Sequence, residues 1–438
     1  MQTNGIYKVF SIFLIFFSFS SFFLGFHLDE NSAGAGSYIG DITHSWKNIQ
    51  LFLSNDLITS IKHPDYFSNR TPLLYILHEN FNPFTKNIES YRKSVFAVSL
   101  ITPLLLFFCL KQKFRDKDNI LLLLISSIIF LSPYYRTSSY WGLEENYGII
   151  CLLLSFLFLN IFLNNKNKEG YKLYIQLFLL TFFSSCCLYF DQKLIIIPTI
   201  CFLKIATSDK LIKVKVLSIF YYLILSLPYI YLIILWGSLI PPLALDSNHQ
   251  SIATFGARGK VYWEHIGYAS TIIAFYLLPI LLFKKNNLFN LIRDFALSIK
   301  SYYLILLFFI YLFYLIFFFE YGAQSFIGKG YIHKVSIILF NNIILREIFT
   351  YLSFFISWMI IIIYVEKNFK DFLIVFYFFV LSINLLPLIQ EYFDPIVLLI
   401  VFTFFNTKLF ISYKNSIILY LYLLILLVAA NIYYANML

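Results

Sequence analysis

Apolar runs of roughly 20 residues recur along the whole chain, and each is long enough to cross the ~30 Å of hydrocarbon in a bilayer. Because a backbone in lipid must satisfy its own hydrogen bonds, each run is expected to form a helix. Only 13% of the 438 residues are charged, about half of what soluble proteins carry. The sequence therefore predicts an all-α, polytopic integral membrane protein in a single transmembrane domain, with about thirteen spans. The spans are predicted to begin near residues 8, 93, 119, 146, 173, 194, 216, 265, 301, 348, 371, 394 and 415.

The links between these runs alternate in charge. One set of links, which includes the N-terminus, holds 20 of the 33 basic residues but only 7 of the 23 acids. Short basic links mark the cytoplasmic side of a membrane protein. We therefore predict a cytoplasmic N-terminus in a multi-pass protein of the bacterial inner membrane. The other acids and all seven histidines then lie on the extracytoplasmic side, where any chemistry is expected.

The net charge of +10 does not indicate nucleic-acid binding. The lysines and arginines are scattered through short links and form no basic face that a phosphate backbone could follow. The expected partners are therefore the membrane and its lipids, with no nucleic acid. The sequence also contains no P-loop, G-x-S-x-G or H-E-x-x-H motif, so the common nucleotide, hydrolase and zinc-protease sites are not indicated.

The longest outer loop follows the first span directly and covers about residues 28–92. Part of it, Ile49–Ile61, is predicted to be an interfacial helix, and so is the later segment Val335–Ile344. Near the start of the loop, Asp41 and His44 are three residues apart, so on a helix they share a face. A carboxylate there could act as a general base toward an acceptor hydroxyl. The alternatives are a helix-capping or solvated acid and a histidine that only packs.

Four other polar residues on the predicted outer side are candidates for substrate binding. Arg70 could hold a phosphate through two hydrogen bonds, or it could be an interfacial arginine that extends to the headgroups. Arg136 lies beside an aromatic cluster and could meet an anionic donor. Glu144 or Glu145 could bind sugar hydroxyls or orient Arg136. The alternative for this segment is an aromatic belt at the membrane surface.

Two further segments place charges close to the membrane. Asp191, Gln192 and Lys193 form a tight turn between two spans, where a lipid phosphate would lie, although Asp191 and Lys193 could simply neutralise each other. Late in the chain, Glu391 and Asp394 flank Tyr392 and Phe393 next to hydrocarbon, where charges are costly and tend to be functional. A basic group on the same predicted side could reach a lipid phosphate or lie on anionic headgroups; it consists of Lys329, His333 and Lys334.

Four short segments are similar to motifs of one group of membrane enzymes. Tyr38–His44 is similar to a Y-M-D-E-I-F-H motif, with Asp41 at the glutamate, and Thr71–Tyr75 resembles a P-G-L-Y stretch. Phe190–Leu194 looks like F-R-Q-T-N, and Ile389–Ile396 looks like E-F-R-Y-F-x-x-P. On these segments the chain resembles the C-type glycosyltransferase superfamily, and within it the dolichyl-phosphate-glucose α-1,2-glucosyltransferase family. Asp191 and Glu391 stand where that family has arginines, and Gly40 stands where it has an aspartate.

The resemblance implies a hexosyltransferase of cell-envelope glycan biosynthesis. It would move a sugar from a lipid-linked, polyprenyl-phosphate donor to a glycan, lipid or protein acceptor at the extracytoplasmic face. No cofactor is indicated, and the mechanism leaves room for a divalent cation. Asp41 is then expected to be the base, Arg136 or Arg70 to steady the phosphate, and Glu391 or Asp394 to contact the sugar or a cation. The residues expected to bind substrate are His44, Arg70, Arg136, Glu144, Glu145, Asp191, Gln192, Lys193, Glu391, Tyr392 and Asp394.

The same interpretation makes two structural predictions. The first loop is expected to fold back onto the outer ends of the spans and to form a polar cavity with Arg136 and Asp191. Asp29 and Glu30, which lie nearer the end of the first helix than Asp41, are expected to tolerate replacement by their amides.

Two other function classes remain open. An O-antigen-type polymerase or ligase would use diphosphate-linked glycans, but such proteins usually carry their long outer loop late in the chain. A lipid or polysaccharide transporter would place charged residues in the middle of several spans, and the sequence has few of these.

Overall fold

The computed structural model describes residues 2–33, 38–68, 70–165, 169–238, 241, 261–284, 293, 301–321, 328–366, 368–385 and 387–435. These residues form helices and their connections, and none of them lies in a strand. Several of the helices are long and apolar enough to cross a membrane. The predicted fold class, an all-α polytopic membrane protein, is confirmed.

The helices up to residue 236 include the first loop and the spans on either side of it. In chain order they are α1 (Gln2–His27), α2 (Thr43–Ser54), α3 (Leu57–Lys62), α4 (Leu73–Phe81), α5 (Ile88–Ser99), α6 (Ile101–Lys113), α7 (Asn119–Ser127), α8 (Pro133–Tyr140), α9 (Glu145–Asn164), α10 (Tyr171–Phe190), α11 (Ile196–Ala206) and α12 (Ile212–Trp236). The helices from residue 265 onward are α13 (His265–Lys284), α14 (Ser301–Phe317), α15 (Gly330–Leu339), α16 (Ile343–Val365), α17 (Phe369–Ser382), α18 (Ile396–Phe402) and α19 (Tyr413–Ala435).

Eight candidate spans occur among the described residues. They are α1, the pair α5 and α6, α9, α10, α12, α13, α16 and α19. A ninth is formed if α7, with the short turn after it, and α8 count as one span, which bends by 69° between them. The bend is encoded locally, because Ser132 is extended and its Oγ accepts a hydrogen bond from the Tyr135 amide at 3.0 Å. Pro133 then starts α8 at a position that needs no amide donor.

Four of the thirteen predicted spans begin at shorter helices. These are α11 with 11 residues, α14 with 17, α17 with 14 and α18 with 7. A helix of seven residues rises only about 10 Å. All seven residues of α18 are buried inside the protein, so its apolar sequence reflects contact with other helices rather than with lipid. An apolar run alone does not distinguish these two environments.

The first loop, here residues 28–87, is largely helical. Helix α2 turns one face inward, with Ser45, Asn48, Ile49 and Phe52 buried. The predicted helix Ile49–Ile61 is divided into α2 and α3, because Asp56 caps α3 by accepting hydrogen bonds from the amides of Ile58 and Thr59 at 3.1 Å. The other predicted surface helix, Val335–Ile344, corresponds to α15, which begins and ends five residues earlier.

The contacts within the chain group it into two compact units. The first unit consists of Met1–Ala257 with Leu423–Leu438, and the second consists of Arg258–Tyr422. The first unit contains the first loop and most of the candidate site residues, and the second contains Glu391, Tyr392 and Asp394.

Candidate functional site

Asp41 and His44 lie in one continuous helical segment at the start of the first loop. A π-helical turn, Tyr38–Ile42, leads directly into α2. Both side chains are half-buried. The expected helical spacing of the two residues is therefore present in the structure.

His44 packs against the segment that follows α3. Its ring meets the Phe67 ring edge-on, with 4.9 Å between centroids. Burial and, to a lesser extent, the positive charge of Arg70 lower the pKa of His44 to about 4. Asn48, one turn later, donates hydrogen bonds to the Phe67 carbonyl at 2.7 Å and to the Tyr75 hydroxyl at 3.1 Å. Helix α2 is thereby joined to the segment that carries Arg70, and His44 is a neutral ring at physiological pH.

Arg70 connects the first loop to the start of α9. Its Nη1 donates to Glu144 Oε1 at 3.1 Å, and its Nη2 donates to Glu145 Oε1. Next to Arg70, Thr71 Oγ1 donates to the carbonyl of Tyr189 near the end of α10. The first loop therefore folds back onto the ends of α9 and α10. Carboxylates are favoured at this end of α9, because a helix N-terminus carries partial positive charge.

The tight turn after α10 adds a second cation. Asp191 Oδ1 accepts a hydrogen bond from the Lys193 amide at 3.0 Å, and Asp191 Oδ2 lies 3.1 Å from Lys193 Nζ. Lys193 Nζ also lies 3.9 Å from Glu145 Oε1. These contacts join five predicted site residues into one group, which we call the Arg70 cluster: Arg70, Glu144, Glu145, Asp191 and Lys193. Gln192, between the last two, donates to the Tyr229 hydroxyl at 3.1 Å.

The Arg70 cluster is largely shielded from solvent. The three carboxylate side chains are 4% (Asp191), 6% (Glu144) and 10% (Glu145) exposed. The two cationic side chains are 11% (Lys193) and 23% (Arg70) exposed. Burial raises the pKa of Glu144; Arg70 opposes this shift, and the carboxylates of Glu145 and Asp191 reinforce it. Three carboxylates face two cations, so repulsion between the carboxylates adds to the effect of burial on the pKa of Glu144.

Arg136 is not part of this cluster. Its Nε donates a hydrogen bond to Glu30 Oε1 at 2.9 Å. Its Nη1 donates to Ser21 Oγ and to the Phe130 carbonyl. Its Nη2 donates to Glu30 Oε2 and to the Ser21 carbonyl. All five N–H groups of Arg136 are thus engaged inside the protein. Glu30, rather than Glu144 or Glu145, is the carboxylate that orients it.

Three residues that the sequence analysis did not select take part in related contacts. Asn431 of α19 donates to Glu30 Oε1 at 3.1 Å. Arg92 lies between the rings of Phe26 and Trp141, 4.5 and 4.3 Å from their centroids. His78 Nε2 lies 3.1 Å from the Tyr147 hydroxyl. Their partners are distant in sequence, so no local pattern indicated these contacts.

In the second unit, Glu391 and Tyr392 lie in a single 3-10 turn, Gln390–Tyr392, ahead of α18. Glu391 is half-buried, whereas Tyr392 and Asp394 are buried. Gln390 donates to the Tyr276 hydroxyl at 3.2 Å and accepts from the Tyr331 amide at 3.0 Å. The segment is therefore held against α13 and α15 by Gln390, a residue that the sequence analysis did not select.

The predicted basic group of the second unit surrounds the start of α15. Lys329 Nζ lies 5.1 Å from the centre of the Tyr268 ring, and Lys334 Nζ lies 5.9 Å from that of Tyr331. His333 is buried against Tyr268, with 5.4 Å between ring centroids. Burial lowers the pKa of Lys334 to about 8 and also lowers the pKa of Lys329. These cations lie among aromatic rings rather than in open solvent.

Within the described ranges, no three His, Cys, Asp or Glu side chains are arranged to hold a metal ion. Comparison of the chain with known proteins found no matching family model, no similar curated protein and no similar solved structure.

Proposed function

We propose that this chain is a membrane glycosyltransferase that moves a hexose from a polyprenyl-phosphate donor to a glycan, lipid or protein acceptor at the extracytoplasmic face. The all-helical, polytopic architecture supports the proposal, because a lipid-linked donor brings its sugar within the bilayer and needs no soluble nucleotide-sugar domain. The motif similarities of the first loop support it as well.

One observation carries the proposal further than the sequence does. The first loop packs onto the ends of α9 and α10 and brings Arg70 to Glu144 and Glu145. Helix α2, which directly follows the turn that contains Asp41, packs against the same loop segment. Arg70 of the first loop is held in a cluster of five largely buried charged side chains. A mobile surface loop would not form such a cluster, since buried charges are costly unless they are paired. Functional sites commonly combine such buried ionisable groups.

In the proposed reaction, the acceptor oxygen forms a bond to the anomeric carbon of the donor sugar. The hydroxyl proton passes to the Asp41 carboxylate, and the bond from the anomeric carbon to the phosphate oxygen breaks, with its electron pair leaving on the lipid phosphate. Arg70 is a positioning residue here, because its two Nη atoms hold Glu144 and Glu145. Arg136 is assigned a structural role, because its N–H groups are engaged by Glu30, Ser21 and Phe130.

The test is transfer by the full chain in lipid nanodiscs supplied with polyprenyl-phosphate sugars and with membrane extract as acceptor. Asp41→Asn keeps size and polarity but removes the proton acceptor, so turnover should fall by about 10²–10⁴. The matched control is Asp65→Asn in the same loop, whose side chain is 86% exposed and which should transfer normally. Near-normal turnover by Asp41→Asn would remove Asp41 from the mechanism, and no transfer by the wild-type chain from any such donor would overturn the proposed function.

A further inference from the structure

The Arg70 cluster has a charge balance that discriminates between ligand classes. Three carboxylates and two cations leave one negative charge in excess, in a site where four of the five side chains are at most 11% exposed. With little water to screen it, an excess negative charge opposes the entry of an anion. The interpretation of Arg70 as a phosphate ligand is therefore disfavoured, because both of its Nη atoms already hold carboxylates.

One acceptor atom in this cluster is unused. Glu145 Oε1 receives Arg70 and lies near Lys193, whereas Glu145 Oε2 is buried and has no hydrogen-bond partner among the described residues. Glu145 as a whole is 8% exposed. Leaving a buried acceptor unsatisfied destabilises a folded protein. A ligand that donates a hydrogen bond to Oε2 would offset this cost.

The surroundings indicate what kind of donor fits. The carboxylates are interleaved with Arg70 and Lys193, and the described residues place no three acidic, histidine or cysteine side chains around a common metal position. A carboxylate acceptor in a cluster that disfavours anions suits a ligand with neutral hydroxyl donors.

We propose that the Arg70 cluster binds an uncharged sugar ring, with Glu145 Oε2 accepting a hydrogen bond from one of its hydroxyls. The proposal rests on the proposed function, since it names the part of the substrate that this site receives. The ring enters from the side of Arg70, the most exposed member of the cluster. Arg70 and Lys193 fix the Glu145 carboxylate in place, and Glu145 is thereby a specificity residue for hydroxyl-bearing ligands.

The experiment measures binding of free glucose, galactose and mannose to the full chain in nanodiscs by saturation-transfer NMR, with empty nanodiscs as background. Sugar binding should be detected for the wild-type chain and should not be displaced by inorganic phosphate. Glu145→Gln should weaken it at least tenfold, because the charge-assisted acceptor is lost. Asp65→Asn, the exposed carboxylate of the first loop, should leave it unchanged. Size-exclusion chromatography verifies that each variant is folded.

The wild-type measurement alone can overturn the inference: no sugar binding, or displacement of the sugar by phosphate, would refute it even if Glu145→Gln fails to fold. Two further measurements show whether the bound sugar ring corresponds to the donor or to the acceptor. Displacement by an intact lipid-linked sugar assigns the site to the donor, and glycosylation of the free sugar assigns it to the acceptor. If the wild-type chain transfers sugar but Glu145→Gln binds free sugar as tightly as the wild type, this inference alone is refuted. If sugar binding depends on Glu145 but the chain transfers no sugar, the proposed function alone is refuted.

Discussion

Two arginines of the first unit illustrate how similar residues acquire different roles. Arg136 donates all of its N–H groups to acceptors inside the protein, with Glu30 as the carboxylate partner. Arg70 bridges Glu144 and Glu145 while its side chain stays 23% exposed. Both were equal candidates for a phosphate ligand in the sequence, because the partner carboxylates are 74 to 106 residues away. Only the Asp191–Lys193 contact, at a separation of two residues, was predictable from local spacing.

Arg136 is expected to contribute to stability rather than to donor binding. Arg136→Gln would leave Glu30, whose side chain is only 13% exposed, without its charge partner, and breaking such a pair typically costs about 3–5 kcal/mol of unfolding free energy. Thermal unfolding in nanodiscs measures this loss, and transfer per folded molecule should stay within about tenfold of the wild type. Lys8→Gln is the control, because the Lys8–Asp118 pair is 45% and 38% exposed and such pairs contribute at most about 1 kcal/mol. A hundredfold drop in transfer per folded molecule would instead assign Arg136 a role in donor binding.

Glu30 changes the choice of control residues. Asp29 and Glu30 were expected from the sequence to tolerate amide replacement, but the Glu30 side chain is only 13% exposed and pairs with Arg136. Asp29, whose side chain is 65% exposed, lies 2.6 Å from Arg92. Glu30→Gln is therefore expected to destabilise the fold, and Asp65 is the appropriate control for Asp41.

His78 makes stability depend on pH. Burial lowers the pKa of His78 to about 4, whereas an unfolded histidine has a pKa near 6.5. Between these values the unfolded chain binds more protons, so the folded state loses stability as pH falls from 7 to 5, by roughly 2 kcal/mol. The unfolding midpoint of the wild-type chain should drop over this range, and His78→Gln should reduce the drop. An equal drop in both proteins would assign the effect to other groups, among them His44, whose pKa is also lowered to about 4.

At the scale of elements, long apolar helices were predictable and short ones were not. Each of the eight candidate spans begins within about six residues of a predicted start, because a run of roughly 20 apolar residues has few alternatives to a spanning helix. Helices α11, α17 and α18 are shorter than a membrane-spanning helix, and residues 383–384 form a turn directly after α17. A turn at residues 192–195 precedes α11, and α18 is buried by protein. Hydrophobic periodicity carries no information about these turns.

The turn that presents Glu144 to Arg70 depends on a single glycine. Gly142, between α8 and α9, has φ +73°, and a Cβ there would lie 2.7 Å from the Tyr91 ring. The Tyr91 hydroxyl also donates to the Gly142 carbonyl at 2.6 Å. This close approach leaves no room for a side chain at residue 142.

Gly142→Ala is expected to lower the unfolding midpoint more than Gly237→Ala. Gly237 ends α12 with φ +66° and has nothing within 4 Å of a built Cβ, so the two variants share the backbone strain of about 1–3 kcal/mol. Only Gly142→Ala adds the collision with Tyr91. Equal midpoints for the two variants would mean that the Tyr91 ring moves away without cost.

For the whole molecule, the ion pairs follow the alternation seen in the sequence. Every pair among the described residues joins two segments that the charge distribution assigns to the same side of the membrane. On the predicted cytoplasmic side these are Lys8–Asp118, Lys213–Glu169 and Lys284–Glu366. On the other side they are His63–Asp65, Arg70–Glu144, Arg70–Glu145, Arg92–Asp29, Arg92–Glu89, Arg136–Glu30, Lys193–Glu145 and Lys193–Asp191. The contacts are thus consistent with alternating links, while the absolute orientation remains a prediction of the basic residues.

Labelling with a membrane-impermeant maleimide tests that orientation. Asp65→Cys in the first loop should react in intact cells, whereas Asp116→Cys and Asp209→Cys should react only after the membrane is opened, because basic links are retained on the cytoplasmic side. All three positions are exposed, so access to the reagent rather than burial decides the result. The native cysteines are buried or half-buried, and the parent chain measures their background. Labelling of Asp209→Cys in intact cells would reverse the orientation and move the Arg70 cluster to the cytoplasmic face, where a donor with an outward-facing sugar could not reach it.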